Sequence, residues 1–349
     1  MNPILNVGIL GTGIFAKNRH LPSFQSYPDK FKVVAACNRT KKKAVEFAVT
    51  AGISEQKVYD DVEKLMQDPD VTFIDALLPV QFNLTAVEKA VAAGKPILLE
   101  KPIAANLEQA RAIVAISETT NVPIAIGENW LYLNSIDVVK SKLETIGEVV
   151  GFTYNSTGPF VKNNKYMETS WRQTPEHIGG FLSDGGVHQL ALLTELLGEI
   201  ESVAALTKQI RELSGADDTV FSTLKMRSGA VGTFTYGSAF GATNKWIYVK
   251  IYGTKGSILL DISNKVEAKI RVQLGDSLED SGSIEEFEVE EEGSFGVNAE
   301  FLNFYEAVVS GDKQVVKGSP KVVFHHLACV AAFLDSSKAN GSSVQVQAA

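Results

Sequence analysis

Lys101 follows a short apolar run, Ile97–Glu100, that predicts a buried β-strand. Ligands bind at the carboxyl ends of the strands in open parallel sheets. A lysine at that position can donate a hydrogen bond to a substrate oxygen and stabilise negative charge that develops there. Pro102 favours an extended backbone at Lys101 and helps to set the direction of its side chain. The alternative is a purely structural pair of Glu100 and Lys101.

Asp184 and His188 are four residues apart at the predicted start of a helix, Gly185–Leu197. This spacing places both side chains on one helix face. A histidine carries a proton near neutral pH, and a neighbouring carboxylate can orient it for general acid–base work. The spacing alone equally allows a capping aspartate and a packed histidine. Glycines on both sides of Asp184 indicate a close approach of the backbone to another group.

A glycine-rich turn, Gly11-Thr-Gly13-Ile-Phe-Ala16, lies between a predicted strand (Asn6–Leu10) and a predicted helix (Phe15–Ser26). This is the G-x-G-x-x-A form of the dinucleotide fingerprint in its required context. Gly11 permits the tight turn, and Gly13 lets the backbone approach a pyrophosphate. The helix N-terminus then offers free N–H groups to the phosphates.

The end of the second predicted strand, Lys32–Cys37, indicates which dinucleotide is bound. NAD sites usually carry an acid there for the ribose 2′-hydroxyl, but this chain reads Asn38-Arg39-Thr40-Lys41. Arg39 can stack on adenine and grip a 2′-phosphate, which an acid would repel. We therefore expect NADP(H). The alternative is that Arg39 and the lysines after it form a solvated helix start.

Glu100-Lys101-Pro102, together with the glycine-rich turn, resembles the Gfo/Idh/MocA family of oxidoreductases. Further matches span nearly the whole chain: His20-Leu-Pro22, Ala76-Leu-Leu-Pro79, Glu128-Asn129-Trp130 and the segment Gly179–Gln189 with Asp184 and His188. The similarity is strongest to fungal NADP-dependent members of unassigned substrate.

The resemblance implies that Lys101, Asp184 and His188 are catalytic, and that Trp171-Arg172 reaches the cofactor. Fingerprint and resemblance together predict these cofactor-binding residues: Gly11, Thr12, Gly13, Ile14, Phe15, Asn38, Arg39, Thr40, Leu78, Pro79, Glu100, Lys101, Asn129, Trp171 and Arg172. Members of the family usually associate through the open face of the second sheet, so the resemblance also implies a homodimer or tetramer.

The other histidines have weaker claims. We expect His20 to pack or cap near the cofactor. His177 is a weaker candidate for a residue that faces the cleft. His325 and His326 are read as helix packing or an interface. No pair has zinc-ligand spacing, so no metal is expected. Tyr132, Tyr166 and Tyr236 are candidate pocket residues, and Phe301, Phe304 and Tyr305 are expected in the core.

Alternating strand and helix patterns over residues 1–126 predict an α/β fold, a Rossmann domain with a doubly wound parallel sheet. The pattern then changes. Residues 127–349 predict an α+β domain with a mostly antiparallel open sheet, which would bind substrate and support oligomerisation. These two ranges are the expected domains.

The chain has 349 residues and a formal net charge of −8. Nine acids and no base lie in Asp276–Glu292, so the charge is local, and we expect an exposed strand edge or loop there. The acidic net charge argues against a nucleic-acid or anionic-membrane partner. No run approaches a membrane span, and Cys37 and Cys329 are read as buried thiols. A cytoplasmic location follows, with the nucleus also open.

The sequence therefore predicts an NADP(H)-dependent oxidoreductase that transfers a hydride between nicotinamide and a carbonyl or alcohol of a small molecule, such as a sugar, polyol, aldehyde or ketone. One alternative is an NADP-binding sensor on the same fold that turns over no substrate. Reduction of an aromatic or tetrapyrrole substrate is a third possibility without a supporting motif.

Overall fold

The computed structural model describes residues 3–161, 175–277 and 282–349. The chain divides into two compact units. The first contains Met1–Asn129, Val297–Phe324 and Ala349, and the second contains Trp130–Gly296 and His325–Ala348. The segment after Val297 thus belongs with the N-terminal unit, because its aromatic residues pack in that core. The functional division at residue 126 stays a prediction.

The first unit is built on a six-stranded parallel sheet with the order β3-β2-β1-β4-β5-β6. Its strands are β1 (Leu5–Leu10), β2 (Phe31–Cys37), β3 (Val58–Tyr59), β4 (Phe73–Ala76), β5 (Ile97–Glu100) and β6 (Ile124–Gly127). This order reverses direction between β1 and β4, which is the switch point where such sheets bind ligands. The predicted Rossmann fold is confirmed.

Helices connect these strands, as buried parallel strands require. They are α1 (Leu21–Gln25), α2 (Lys41–Ala51), α3 (Val62–Gln67), α4 (Asn83–Ala92) and α5 (Leu107–Thr119). Before α1, a π-helical segment (Ala16–His20) continues the helix without a break from residue 14. Asn106 caps α5 by accepting a hydrogen bond from the backbone N–H of Gln109 at 2.9 Å, as its residue type predicts.

An aromatic cluster forms part of this unit's core. The ring of Phe24 in α1 stacks on Phe301 in helix α8 (Val297–Ser310) with centroids 4.3 Å apart. Phe304 and Tyr305 on the same helix are buried as well, which confirms the predicted core role of this aromatic helix. Stacked and edge-on pairs of this kind add to the gain from burying apolar area.

The second unit is built on a nine-stranded sheet with the order β14-β13-β12-β11-β7-β10-β9-β8-β15. Its strands are β7 (Val149–Pro159), β8 (Ile200–Lys208), β9 (Thr219–Met226), β10 (Val231–Phe240), β11 (Trp246–Gly253), β12 (Gly256–Asp261), β13 (Glu267–Leu274), β14 (Ile284–Glu290) and β15 (Val344–Gln345). All neighbours are antiparallel except β7 and β10. The mostly antiparallel sheet is thereby confirmed.

Helices α6 (Asn134–Leu143) and α7 (Gly180–Leu197) lie in the second unit. Helix α9 (Pro320–Lys338) begins within the first unit and continues in the second. Helix α7 starts five residues before the predicted Gly185, after Gly179 in the left-handed conformation. No helix in the described part of the chain is both long and apolar enough to cross a bilayer.

The acidic stretch supplies β14, the edge strand of the second sheet. Charged edge strands resist pairing with other chains. One acid has a separate structural role. The Glu291 carboxylate is buried and accepts hydrogen bonds from the backbone N–H groups of Asn134 and Ser135 at 2.8 and 3.0 Å. It thus satisfies free donors at the start of α6.

Candidate functional site

The glycine-rich turn has the geometry that a dinucleotide needs. Gly11 has φ +98°, and a Cβ there would lie 2.3 Å from the carbonyl oxygen of Leu77, so only glycine fits. At Gly13 a Cβ would meet nothing within 4 Å, which leaves open space against the backbone. Ile14 next to it is 45 % exposed. Among the described residues, the buried hydroxyl of Thr12 has no hydrogen-bond partner. The turn therefore fits a dinucleotide pyrophosphate.

Three polar residues follow β2 at the same edge of the sheet. The Oδ1 atom of Asn38 accepts a hydrogen bond from the N–H of Thr12 at 3.4 Å, and its Nδ2 donates to the carbonyl of Thr40 at 3.2 Å. Asn38 thereby ties the end of β2 to the glycine-rich turn. Arg39 and Thr40 are exposed. The Thr40 side chain makes no capping hydrogen bond to α2.

The Glu100-Lys101-Pro102 turn follows β5. Asn83, at the start of α4, stabilises this turn. Its Nδ2 group lies 3.1–3.2 Å from the carbonyl oxygens of Glu100, Pro102 and Ile103. The Lys101–Pro102 peptide is cis, and Lys101 is half-buried. Asn83 has no obvious signal in the sequence, although a buried asparagine at a helix start demands partners.

The carboxyl ends of β1, β2, β4 and β5 thus carry most of the predicted cofactor residues in one unit. Leu78 is half-buried and Pro79 exposed after β4, and Asn129 opens a short 3₁₀ turn (Asn129–Tyr132) after β6. Trp171 and Arg172 lie outside the described residues, as does Tyr166.

In the second unit, Asp184 and His188 lie one turn apart inside α7, where both are half-buried. The prediction that Asp184 begins this helix is wrong, because the helix starts at Gly180. The close approach inferred from the glycines is made by Tyr236 on β10. A Cβ at Gly185 would lie 2.0 Å from the Tyr236 hydroxyl. Burial, and then the nearby Asp184 carboxylate, raise the pKa of Tyr236.

An aromatic stack supports His188. The indole of Trp130 lies parallel to its imidazole, with centroids 5.6 Å apart and planes 18° apart. Phe295 packs edge-on against Trp130, with the ring centroids 5.4 Å apart. Phe295 itself has φ +55°, a strained conformation for an aromatic residue. Sequence reasoning missed this stack because its members are far apart in the chain.

The remaining histidines divide into structural and unassigned ones. His325 Nε2 accepts the N–H of Ile200 at 3.0 Å, and His326 Nε2 pairs with the Thr194 hydroxyl at 3.0 Å, which confirms the packing role. His177 is half-buried. Among the described residues, no three His, Cys, Asp or Glu side chains are grouped so as to hold a metal.

A Rossmann sheet with a glycine-rich turn at its switch point defines a dinucleotide-binding protein. The comparisons with known proteins identify its family. Residues 5–128 match the Rossmann NAD-binding domain of the Gfo/Idh/MocA oxidoreductase family, and residues 140–346 match its C-terminal alpha/beta domain. The chain belongs to this family of oxidoreductases.

Two similar proteins span nearly the full chain, and a third spans about three quarters of it. An uncharacterized protein of Saccharomyces cerevisiae is 60 % identical over 348 residues, 99 % of each chain. A solved structure of an oxidoreductase from Thermotoga maritima is 32 % identical, with a TM-score of 0.86 over 99 % of both chains. A levoglucosan dehydrogenase of Pseudarthrobacter phenanthrenivorans is 26 % identical over 76 % of each chain.

Proposed function

We propose that this oxidoreductase uses NADP(H) and transfers a hydride between its nicotinamide and a carbonyl or alcohol carbon of a small molecule. The observation that carries the cofactor choice is the end of β2, where the exposed Arg39 stands in place of the usual acid. Its guanidinium can pair with a 2′-phosphate and stack on adenine. Asn38 and Thr40 supply further polar groups beside it.

The cofactor assignment is tested by fluorescence titration with NADPH and NADH. The wild-type protein should bind NADPH much more tightly, and equal affinities would contradict the proposal. Arg39→Ala should weaken NADPH binding much more than NADH binding, because only NADPH carries the 2′-phosphate. Lys43→Ala is the matched control, because Lys43 is an exposed cation on the same helix start.

For catalysis we assign Lys101, His188 and Asp184. Bound to the Rossmann domain, the nicotinamide supplies or accepts the hydride. The Lys101 ammonium donates a hydrogen bond to the substrate oxygen and stabilises the charge that develops on it in the reducing direction. His188, oriented by Asp184, donates or relays the proton. In the oxidising direction the same groups act as bases and accept the proton that the alcohol releases.

Lys101→Ala tests the catalytic assignment. The variant should still bind NADPH but lose turnover by about 10²–10³-fold. Wild-type turnover would refute this role. The substrate is sought first among sugars and polyols, then among other aldehydes and ketones, because a relative of this chain is a levoglucosan dehydrogenase. Tight NADPH binding with no turnover of any compound would instead favour a sensor.

We also propose a homo-oligomer that forms through the open face of the second sheet. Leu206 and Phe221 are paired across β8 and β9 and are 57 % and 54 % exposed. Val231 and Trp246 expose further apolar surface on β10 and β11. Exposed apolar patches of this kind mark contact surfaces. Light scattering should report a dimer or tetramer, and Phe221→Asp should dissociate it.

The proposed compartment is the cytoplasm. Cys37 and Cys329 are both free and buried. Burial raises the pKa of the Cys37 thiol to about 12 and shifts that of Cys329 in the same direction. Unreactive buried thiols are typical of proteins in a reducing compartment.

A further inference from the structure

Four ionisable side chains from separate segments, three of them buried and one partly buried, come together in the first unit. They are His20 at the end of the π-helical segment, Asp75 on β4, Glu100 at the end of β5, and Glu300 on α8. His20 and Asp75 are fully buried and Glu300 is 2 % exposed. Isolated charges are rarely buried without partners, so this cluster requires a physical explanation.

Both nitrogens of the His20 ring face a carboxylate. Nδ1 lies 2.9 and 3.1 Å from the two oxygens of Asp75, and Nε2 lies 2.9 Å from Oε1 of Glu100. A neutral imidazole has one N–H only, so it can donate to one of the two carboxylates. A neutral ring would therefore require one of the two carboxyl groups to be protonated, whereas the doubly protonated ring donates to both carboxylates. Edge-on contacts with Phe15, Phe24 and Phe301 enclose it.

The electrostatics agree with this protonation state. Burial would lower the pKa of His20, but Asp75 and Glu100 outweigh that effect and raise it to about 10. Burial and then the charge of Glu100 raise the pKa of Glu300 well above its usual range, and buried Glu128 contributes in the same direction. Within the part of the chain that the structure describes, the Oε2 atom of Glu300 has no hydrogen-bond partner. A neutral acid at Glu300 fits that site, whereas an ionised one would lack compensation.

The two ion pairs join three segments that carry predicted cofactor residues. His20 lies on the helix that begins directly after Gly13. Asp75 lies two residues before Leu77, whose carbonyl borders Gly11 and whose N–H donates to the Leu10 carbonyl at 2.7 Å. Glu100 immediately precedes Lys101. A change in the length or charge of this bridge would therefore move the glycine-rich turn relative to the end of β5.

We propose that His20 is a positioning residue of the dinucleotide site, which as a buried cation holds the helix after the glycine-rich turn against the ends of β4 and β5. The cluster thereby sets the spacing between the pyrophosphate-binding turn and Lys101. The part that concerns Lys101 rests on the proposed function, whereas the effect on dinucleotide binding needs only the Rossmann domain.

The test measures NADPH affinity of Asp75→Asn. This variant keeps a hydrogen-bond acceptor near His20 but removes one of the charges that keep the ring protonated. We expect about ten-fold weaker NADPH binding by the folded protein, because small displacements in a positioned site are costly. Asp68→Asn is the matched control. Asp68 is also buried in this unit and paired with Lys57 at 2.7 Å, but it belongs to a separate cluster.

NADPH affinity measured at a series of pH values distinguishes the proposed role of His20 from a purely structural one. Wild-type NADPH affinity should hold through neutral pH and fall only as His20 loses its proton near pH 10. In Asp75→Asn that fall should occur at lower pH, whereas Asp68→Asn should follow the wild type. A folded Asp75→Asn protein with wild-type affinity and pH profile would overturn the proposal.

If Asp75→Asn does not fold, the protonation state of His20 is measured instead by NMR of the wild-type protein with labelled histidines. The His20 signal is assigned by its absence from the spectrum of His20→Gln. Both His20 ring nitrogens should be protonated at pH 8, and a neutral ring there would refute the proposal. Failure of the wild type to bind either NADPH or NADH would instead count against the proposed function, so the two failures are distinguishable.

Discussion

The indole of Trp130 lies parallel to the imidazole of His188 at a centroid distance of 5.6 Å. Trp130 is buried and His188 is half-buried, so the indole covers one face of the ring and leaves other parts accessible. Stacking therefore restricts the orientation of the His188 ring.

Trp130→Ala should lower kcat by about ten-fold or more, because His188 loses the surface that orients it. NADPH affinity should change less than kcat, since Trp130 is not among the predicted dinucleotide-binding residues, most of which follow β1, β2, β4 and β5. Trp130→Phe retains an aromatic face and should recover most of the rate. Steady-state kinetics with the identified substrate checks this, and equal losses in Ala and Phe variants would contradict it.

Gly185→Ala should destabilise the second unit, because the new Cβ would meet the Tyr236 hydroxyl at 2.0 Å. We expect a loss of about 1–3 kcal/mol in the free energy of unfolding, typical of overpacking. The neighbouring Gly186→Ala is the control. Its Cβ would lie 3.6 Å from the same ring, an ordinary contact, and alanine favours a helix. Urea unfolding should separate the two, and equal stabilities would contradict this packing.

Local patterns predicted most elements of the first unit because its βα repeats carry strong signals. Strand β5 has the predicted bounds, and β1 and β2 each begin one residue before the predicted start. The two-residue strand β3 was missed, since its pattern is too short to distinguish from a turn. The start of α7 was also misplaced, because glycines at its first turn lower helix propensity while tertiary packing holds them helical.

The sequence could place the predicted cofactor residues at the ends of β1, β2, β4 and β5, because strand ends and fingerprints are local features. The His20 cluster could not be found in the same way, since its members are up to 280 residues apart in the chain. One signal was present. Asp75 interrupts an apolar strand, and Glu300 lies in an aromatic helix, and ionisable residues in such buried patterns require partners.

Glu300 should make stability depend on pH. Its raised pKa in the folded state means that the folded protein retains a proton that the unfolded chain releases above about pH 4.5. The contribution is fully present below that value and is lost as pH rises, by at most about 1.4 kcal/mol per pH unit. The groups that face it are His20, Asp75, Glu100 and Glu128.

Glu300→Gln removes this proton while keeping the shape of the side chain. The stability of the variant relative to the wild type should therefore increase as pH rises from 5 towards neutral and above. Denaturant titrations at several pH values measure this difference. Glu306→Gln on the exposed side of the same helix is the control and should show a flat difference. A flat profile for Glu300→Gln would show that Glu300 is ionised when folded.

Gly13→Ala and Gly11→Ala lie in the same turn but should differ in their effects. The first should weaken NADPH binding alone, and the second should also lower the stability of the free protein. At Gly13 a Cβ enters open space, so the thermal stability of the free protein should remain close to that of the wild type. NADPH affinity should nevertheless fall, because the methyl group occupies the surface that a pyrophosphate approaches. Fluorescence titration and a thermal melt of the same sample provide both values.

At Gly11 a Cβ would lie 2.3 Å from the Leu77 carbonyl oxygen, and φ is +98°. Gly11→Ala should therefore lower the melting temperature as well as the affinity, because the strain is present without any ligand. Added NADPH should raise the melting temperature of the wild type by mass action but raise that of Gly13→Ala much less. Wild-type NADPH affinity in Gly13→Ala would place the pyrophosphate away from this turn and contradict the assignment.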